Sequence, residues 1–568
     1  MKKLLLSGGT VINVFTGELE KANVLIYDTH IVGVGDYTAE DADLVEDVTG
    51  KLICPGFVDG HIHIESTMLT PAELTRVCLP HGTTAIVADP HEIANVCGKA
   101  GISYMLEMSE GLPMTVYIML PSCVPATPFD ESGAVLTADD LRPFYANRRV
   151  LGLAEMMNYV GVVAGDPDVM EKITDAHAHR RVVDGHAPLL SGRSLDKYLL
   201  AGIRSDHECS SPEEAKERIR KGQWVMIRQG TAARNLTGLL PLFDEPFSHR
   251  CLLVTDDKHP ADLIADGHID SIIRAAGKAG KSVITAIQMA TIRAAHCFEL
   301  QNVGAVAPGY KADLLILDDL DTVAVRDVYC AGKKTVENGK ILPFAEPVAK
   351  DENRKTVLNS FFIDPLTKDD FRISESGSKC RVIRIVPGQL LTDEWITEVD
   401  RDRDDGIDVA RDILKLAVVE RHMHTGHKGI GYINGIGLKK GAIASSVSHD
   451  SHNLIVIGTN DADMVVAANR ILFMGGGNVV AADGKVIAEM PLPVAGLMTT
   501  APAAEIAEQN RRVRQAVHAL GAPETVEPFM NMAFVSLSVI PSLKMTTQGL
   551  VDVNTQTRVP LMINDVSR

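Results

Sequence analysis

The chain has 568 residues, of which 45% are hydrophobic and 23% charged, and its formal net charge is −18. That length is enough for several domains and a large core, since one domain typically holds about 100–200 residues. The negative charge argues against a surface that binds nucleic acid or another polyanion, and it favours an enzyme that acts on a small molecule.

The first 55 residues predict short strands and turns, as in LLLSGGTVINV and NVLIYDTHIVGVG. Only three leucines precede Ser7, too few for the apolar core of a signal peptide, and no uninterrupted apolar stretch of about 18 residues predicts a membrane span. The nine cysteines form no CxxC pair, a usage that suits free thiols in a reducing compartment. We therefore expect a cytoplasmic protein.

Eight short apolar runs follow, rich in β-branched residues and bounded by Gly, Pro and polar clusters. They span residues 56–63, 84–89, 114–121, 150–157, 181–186, 202–207, 224–228 and 251–256. This pattern is typical of strands buried on both faces, and the stretches between them can hold helices. Eight such units predict an α/β chain with a (β/α)8 barrel, in preference to an open doubly wound sheet. In such a barrel the active site forms at the C-terminal ends of the strands.

Six residues of metal-ligand type lie at or just past the ends of these runs. They are His61, His63, Glu155, His186, His207 and Asp256. His61 and His63 are two apart on a strand, so both side chains point to one face and can hold one ion. A set of imidazoles and carboxylates suits Zn, Mn or Fe(II), and Glu155 stands where a carboxylate could bridge two ions. The ordered set predicts a metal-dependent hydrolase.

Each of these residues also has a simpler interpretation. Glu155 could form a salt bridge at the barrel rim, and His186 and His207 could be satisfied core or rim histidines. Asp256 or its neighbour Asp257 could be the N-cap of a following helix, since Asp-Asp-Lys-His-Pro precedes a predicted helix. Arg228 and Gln229 end the seventh run and could either reach the substrate or order the rim.

After the barrel, residues 304–345 return to strands and turns, with Lys311-Ala312-Asp313 starting the strongest strand. This segment could pair with residues 1–55 into one small β-domain, or both could be unrelated edge hairpins. An acidic stretch at 391–412 is expected at the surface, and alternating helix and strand signals from Ile413 onward predict a separate α+β domain. The predicted divisions are 1–55, 56–303, 304–345 and 346–568.

Two histidine clusters lie in this last segment. In RHMHTGH, His422, His424 and His427 are expected to be solvated histidines on a turn. In SHDSHN, His449, Asp450 and His452 lie between apolar strands and could form a lid over the barrel mouth. The alternative for SHDSHN is a hydrogen-bond network at a domain interface.

The motif PGFVDGHIH at 55–63, with the later Glu, His, His and Asp, resembles the amidohydrolase superfamily, and the flanking β-pieces resemble its composite β-sandwich. Three further motifs, HIHIEST at 61–67, ADPHEIANVCG at 88–98 and SHDSHN at 448–453, resemble the bacterial adenine deaminase family within it. The resemblance implies hydrolysis of adenine to hypoxanthine and ammonia, a step of purine salvage. It also implies a binuclear site for Mn(II) or Fe(II), with Zn(II) possible, whose metal-bound hydroxide adds to C6.

The resemblance also implies roles for individual residues. The six residues of the ordered set would hold the ions, with Glu155 bridging them in place of the carbamylated lysine of many binuclear amidohydrolases. Asp256 would pass a proton to the departing ammonia, and Glu92 is the candidate acid for a ring nitrogen, with a loop-capping carboxylate as its alternative. Glu65 is expected to orient a metal-bound imidazole. The candidates for substrate binding are Asp89, His91, Arg228, Gln229, His449, Asp450 and His452.

The expected partners are adenine and a second copy of the chain in a homodimer, without nucleic acid or membrane. Two other functions compete with adenine deamination. A cyclic-amide hydrolase of the same superfamily, acting on a dihydropyrimidine or imidazolone, would share every metal ligand, and release of ammonia without ring opening separates the two. A non-catalytic scaffold on the same barrel would be expected to have lost ligands.

Overall fold

The structure is a computed structural model that describes residues 2–231, 233–377, 379–387, 389, 391–402 and 404–563. The chain divides into two compact units. The first consists of the residues up to Pro90, Met105–Ser122 and Thr137–Ala349, and the second of His91–Tyr104, Cys123–Leu136 and the chain from Lys350 onward. Two short segments from within the barrel region of the sequence thus belong to the second unit. The four divisions inferred from the sequence stay a prediction.

The centre of the first unit is built from eight parallel strands. They are Phe57–Ile62, Thr83–Ala88, Thr115–Leu120, Val150–Met156, Val182–Gly185, Ser205–Asp206, Trp224–Arg228 and Cys251–Val254. The first five form one sheet in chain order, and the last three form another. Arg204 N donates to Val183 O at 3.3 Å between the fifth and sixth strands, and an isolated parallel bridge joins Ile62 to Asp256 beside the first and eighth. The two sheets therefore curl into a TIM-barrel-like fold.

The barrel strands form where the sequence supplies runs of buried residues. Every residue of Phe57–Ile62 and of Thr83–Ala88 is buried, as expected of strands covered on both faces. The sixth strand is shorter than the predicted run 202–207. Gly202 has a left-handed φ of +93°, a turn conformation that glycine adopts easily, and the strand begins only at Ser205.

The barrel strands alternate with helices in the first unit. These are Pro71–Cys78, Ala138–Leu141, Tyr159–Ala164, Pro167–Ala178, Gly192–Leu200, Pro212–Arg220, Leu236–Leu239, Pro260–Asp266, Ile269–Lys278, Val283–Met289 and Ile292–Cys297. Several begin with local caps: Asp166 accepts from Asp168 N and Val169 N, and Ser211 from Glu214 N. The helix Pro260–Asp266 has His259 at its N-cap position, so the interpretation of Asp256 or Asp257 as the helix cap is wrong.

Two antiparallel-rich sheets complete the first unit. One holds Lys3–Ser7, Asn23–Tyr27, His30–Gly35 and Leu44–Asp47; the other holds Thr10–Ile12, Leu19–Lys21, Leu52–Pro55, Leu314–Leu317, Val325–Cys330, Lys333–Glu337 and Lys340–Ile341. Leu52–Pro55 pairs with Leu314–Leu317, so strands from before and after the barrel share one sheet. The strand predicted to begin at Lys311 begins at Leu314.

The second unit is built on a nine-stranded sheet. Its strands are Lys379–Ile385, Thr392–Glu398, Leu414–Val419, Lys428–Asn434, Ala442–Ser445, Leu454–Gly458, Gly477–Ala482, Lys485–Pro491 and Met562–Ile563. A smaller sheet holds Leu543–Thr546, Gly549–Asp552 and Thr557–Arg558. Its helices are Asp351–Leu358, Asp461–Met474, Ala503–Ala519 and Pro528–Phe534, with the first part of His91–Met108. Met464, Ala468 and Ile471 of the second helix pack on the large sheet.

All nine cysteines are free. Within the described part of the chain, none of the helices has both the length and the apolar composition that crossing a membrane requires.

Candidate active site

The six residues of metal-ligand type meet in the first unit, at the C-terminal ends of the barrel strands. His61 lies in the first strand, Glu155 in the fourth, and the other four follow their strands by one or two residues. Asp256 N donates to His61 O at 2.9 Å, which fixes the end of the eighth strand beside the first. Asp256 has a φ of +60°, a left-handed conformation that aspartate tolerates better than most residues and that recurs at functional sites.

The six side chains form two groups with a shared carboxylate. Asp256 Oδ1 lies 3.6 Å from His61 Nε2 and 3.3 Å from His63 Nε2. Glu155 Oε2 lies 2.7 Å from His186 Nδ1 and 3.1 Å from His207 Nε2. The other oxygen, Glu155 Oε1, lies 3.3 Å from His63 Nε2. Glu155 thus turns one oxygen towards each group, as a bridging carboxylate would.

The histidine hydrogen bonds fit a metal centre. His61 Nδ1 lies 3.2 Å from Asp184 Oδ2, and His63 Nδ1 lies 3.1 Å from the carbonyl oxygen of Asp89. A ring that donates from Nδ1 presents a lone pair on Nε2, the arrangement typical of metal-bound imidazoles. His61 Nε2 is buried and has no hydrogen-bond partner among the described residues. Nitrogen and carboxylate oxygen donors are the ligands that Zn, Mn and Fe(II) accept, so these residues fit a divalent cation.

The charges around the centre keep its carboxylates ionised. Burial opposes ionisation of Glu155, but the neighbouring His186 and His207 hold its pKa well below the usual value. Burial opposes ionisation of Asp256 as well, yet the charge of Arg228 and the neighbouring imidazoles of His61 and His63 keep its pKa well below the usual value. Both carboxylates are therefore available as ligands or proton acceptors at neutral pH.

Two carboxylates of the centre were missed by the sequence interpretation. Glu208 Oε1 lies 3.3 Å from His207 Nε2 and 2.5 Å from Arg228 Nη1, and its Oε2 lies 3.0 Å from Arg228 Nη2. Asp184 orients His61 and accepts from Ser205 Oγ at 2.6 Å. Asp184 could have been found, since it stands two residues before His186 on a predicted strand. Glu208 carries no comparable signal beyond its position after His207.

The other predicted residues of the first unit lie close to this centre or support it. Arg228 donates to both Glu208 and Asp256, so it orders the carboxylates of the centre. Gln229 is half-buried, and its backbone N donates to Val254 O. Asp89 and Glu65 are both buried, and Asp89 contributes its carbonyl to His63.

The remaining candidates come together within the second unit. His91 Nε2 lies 3.7 Å from Asp450 Oδ1, and Glu92 Oε2 lies 3.4 Å from His452 Nε2. The His449 ring stacks on Phe534 with centroids 4.5 Å apart. His91 and Glu92 of the DPHE motif thus form one buried cluster with the SHDSHN motif, more than 350 residues further along the sequence.

The backbone fixes the tautomer of His452. Ser448 N donates to His452 Nδ1 at 3.2 Å, so Nδ1 is the acceptor and the neutral ring carries its proton on Nε2, which faces Glu92. Burial and the neighbouring His449 hold the pKa of His452 well below its usual value. His452 is therefore neutral, with its protonated Nε2 facing Glu92.

One histidine of RHMHTGH contradicts the expectation of a solvated turn. His422 is buried, its Nε2 lies 2.7 Å from Ser451 O, and burial with the charge of Arg421 holds its pKa well below the usual value. His424 and His427 are exposed, as expected.

Comparison with known proteins agrees with this geometry. The amidohydrolase family model matches residues 52–342, just over half the chain, and the model of the adenine deaminase C-terminal domain matches residues 389–557. The chain is 44% identical to the adenine deaminase of Desulfatibacillum aliphaticivorans, over 97% of this chain and 95% of that protein. It is 45% identical to adenine deaminase 2 of Carboxydothermus hydrogenoformans, over 99% and 97%.

Solved structures resemble the chain more distantly. The dihydropyrimidinase of Brevibacillus agri NCHU1002 is 16% identical, covers 60% of this chain and 96% of its own length, and superposes with a TM-score of 0.47. A likeness of this degree carries no conclusion about activity.

Proposed function

This chain belongs to the adenine deaminases of the amidohydrolase family, and we propose that its first unit binds two divalent cations to carry out the reaction. The enzyme deaminates adenine by hydrolysis, so water replaces the amine at C6 and the products are hypoxanthine and ammonia. The observation that supports a binuclear centre is Glu155, whose two carboxylate oxygens face different groups of imidazoles.

The residues proposed to hold the cations follow from the two groups. His61, His63 and Asp256 would hold one, His186 and His207 the other, and Glu155 would bridge them. When bound, such a pair lowers the pKa of a water molecule towards about 7 and so supplies a nucleophile at neutral pH. We favour Mn(II) or Fe(II), with Zn(II) also compatible with the donors.

Asp256 is the proposed proton carrier on the side of the attacking water. Arg228 donates to Asp256 Oδ2 at 2.7 Å and keeps the carboxylate ionised, so Asp256 can accept a proton from the water. The departing amine needs a proton to leave as ammonia. Asp256 would donate the proton that it took from the water and so return to its ionised form in the same cycle.

Glu92 is the proposed acid for the purine ring. Addition at C6 places negative charge on the neighbouring ring nitrogen, and a protonated carboxyl group would neutralise it by proton transfer. When ammonia leaves and the C6 carbonyl forms, the hydroxyl proton on C6 would return to Glu92 and restore the acid. Support comes from the family motif ADPHEIANVCG and from the buried position of Glu92 beside His452, whose neutral ring adds no positive charge that would favour the ionised carboxylate. Asp89, His91, Arg228, Gln229, His449, Asp450 and His452 are proposed to bind adenine.

The cyclic-amide hydrolase alternative is not favoured, because the full-length relatives named above are adenine deaminases. The free cysteines suit the proposed cytoplasmic location. A homodimer and a role in purine salvage stay predictions from the family resemblance.

Metal analysis coupled to an adenine assay tests the proposal. Protein reconstituted with Mn(II) should contain about two ions per chain and release equimolar hypoxanthine and ammonia. A parallel assay with dihydrouracil should show no ring opening. Fewer than two ions, or no ammonia from adenine, would contradict the proposal.

A further inference from the structure

A strongly basic cavity lies in the first unit at the N-terminal ends of barrel strands five to eight. It has a volume of about 680 Å³, and four arginines line it: Arg180, Arg181, Arg204 and Arg250. Three of these directly precede the fifth, sixth and eighth strands, Val182–Gly185, Ser205–Asp206 and Cys251–Val254. The seventh strand, Trp224–Arg228, begins with a tryptophan that also lines the cavity. The same strands lead at their other ends to His186, His207, Arg228 and Asp256. The cavity is therefore remote from the metal centre.

The charge of this cavity is opposite to that of the chain. Asp and Glu outnumber Lys and Arg by 74 to 56 overall, whereas Glu299 is the one acidic residue among the described residues that line the cavity. In the part of the chain that the structure describes, none of the four arginines has a carboxylate within ion-pair distance. Elsewhere in the same unit arginines are paired, as Arg142 is with Asp175 at 2.9 Å and Arg274 with Asp270 at 2.5 Å.

Two of the lining side chains are held in place by the fold. Arg181 Nη2 donates to Tyr145 O at 2.7 Å, and its Nε is buried with no hydrogen-bond partner among the described residues. The guanidinium of Arg250 lies over the Trp224 ring, 4.9 Å from its centroid. Arg180 and Arg204 are exposed at the cavity. The cavity thus combines fixed and adaptable cations with a flat aromatic surface.

These features favour a phosphorylated ligand. Guanidinium groups bind phosphate oxygens through paired hydrogen bonds, and positive charges gathered around a concave surface attract anions. The volume falls within the range of about 300–1,000 Å³ that is usual for small-molecule sites. We propose that this cavity is a second binding site, for a small metabolite that carries a phosphate group. No residue of the proposed catalytic centre lines it, so the proposal does not depend on the proposed function.

Binding measurements on the full-length, metal-loaded chain test this proposal. Ribose 5-phosphate and AMP serve as probes, because both carry a phosphate and only AMP adds a base. The double variant Arg180→Gln/Arg204→Gln removes two exposed cations from the cavity. The matched control Arg193→Gln/Lys278→Gln removes two exposed cations from helices Gly192–Leu200 and Ile269–Lys278.

The expected result is saturable binding of ribose 5-phosphate that salt weakens. The cavity variant should weaken it at least tenfold, while the control keeps the wild-type affinity and both variants keep the wild-type adenine turnover. Tighter binding of AMP, lost in Trp224→Leu, would identify nucleotides rather than sugar phosphates as the ligand class. Binding with wild-type affinity in the cavity variant would place the phosphate elsewhere on the chain, and binding by neither probe would leave the cavity without a ligand; either result overturns the proposal.

Discussion

Arg228 Nη1 donates to Asp256 Oδ2 at 2.7 Å while the same guanidinium holds Glu208 through two contacts of 2.5 and 3.0 Å. One half-buried cation thus serves two carboxylates, the half-buried Glu208 and the buried Asp256, which is the proposed proton carrier. Removing a partner from a buried ionic group is costly, because the remaining charge is left without compensation. This relationship makes Arg228 the most sensitive position next to the proposed metal ligands.

The replacement Arg228→Met is expected to lower kcat for adenine by about 100-fold, the usual effect of losing one preorganised electrostatic group. Arg228→Lys should be intermediate, since an ammonium group cannot reproduce the planar fork that spans both carboxylates. Steady-state kinetics at saturating Mn(II) measures both. Arg274→Met, which removes the ion pair with Asp270 on an outer helix, is the matched control and should leave kcat unchanged. Wild-type kcat in Arg228→Met would refute the role of this group.

The replacement Glu155→Gln tests the bridging carboxylate. An amide is a poor bridge between two cations, so the variant should retain about one ion per chain or fewer and lose adenine turnover. Metal analysis after gel filtration measures the retained ions. Glu208→Gln is the informative comparison, because Glu208 lies beside His207 but is paired with Arg228. It should retain two ions, and equal metal loss in both variants would widen the ligand set to include Glu208.

Much of the first unit could be predicted from the sequence, because its strands are buried on both faces and therefore form continuous apolar runs. Seven of the eight predicted runs differ from the observed strands by no more than two residues at either end. The start of the sixth strand could not be predicted in this way. The predicted run begins at Gly202, which forms a turn, and only Ser205 and Asp206 pair as a strand. Likewise, ligand-type residues at strand ends are recognisable because the fold brings those ends together.

Contacts between distant segments could not be predicted. His422 looked like a solvated turn residue because its partner, the carbonyl of Ser451, comes from a different strand connection. The segments His91–Tyr104 and Cys123–Leu136 lie in the barrel part of the sequence, yet they belong to the second unit. Their association with the rest of the second unit depends on contacts such as the hydrogen bond from Ser538 Oγ to Asp130 Oδ2 at 2.6 Å. A local sequence pattern does not predict such a contact.

The replacement Glu92→Gln tests the acid proposed for the purine ring. The amide keeps the size of the side chain but cannot transfer a proton, so turnover should fall to background while the chain keeps its full metal content. Adenine turnover and metal content are measured on the same preparation of the variant. His452→Gln should lower turnover less, because His452 faces Glu92 through a 3.4 Å contact and transfers no proton in the proposed reaction. Full activity of Glu92→Gln would remove this residue from the mechanism.

The second unit contains a buried amine whose ionisation should make stability depend on pH. Lys544 is fully buried, its Nζ donates to Phe534 O at 2.9 Å, and burial lowers its pKa to about 7. The pKa of a lysine in an unfolded chain is about 10.4. Between these values the unfolded state binds more protons than the folded state, so the free energy of unfolding should rise with pH by up to about 1.4 kcal/mol per unit.

The replacement Lys544→Met removes this dependence. The free energy of unfolding of the variant minus that of the wild type should therefore be larger at pH 7 than at pH 10, as measured by urea unfolding. In a Trp224→Phe background Trp395 is the sole tryptophan and reports on the second unit alone.

Lys415 provides the control, because it is equally buried but pairs with Asp405 at 2.9 Å and Asp461 at 2.7 Å. Lys415→Met should destabilise the unit at both pH values, since it takes the cation from Asp461 and leaves Asp405 with Arg401 alone. A difference between Lys544→Met and the wild type that stays constant from pH 7 to pH 10 would show that Lys544 is charged in the folded protein.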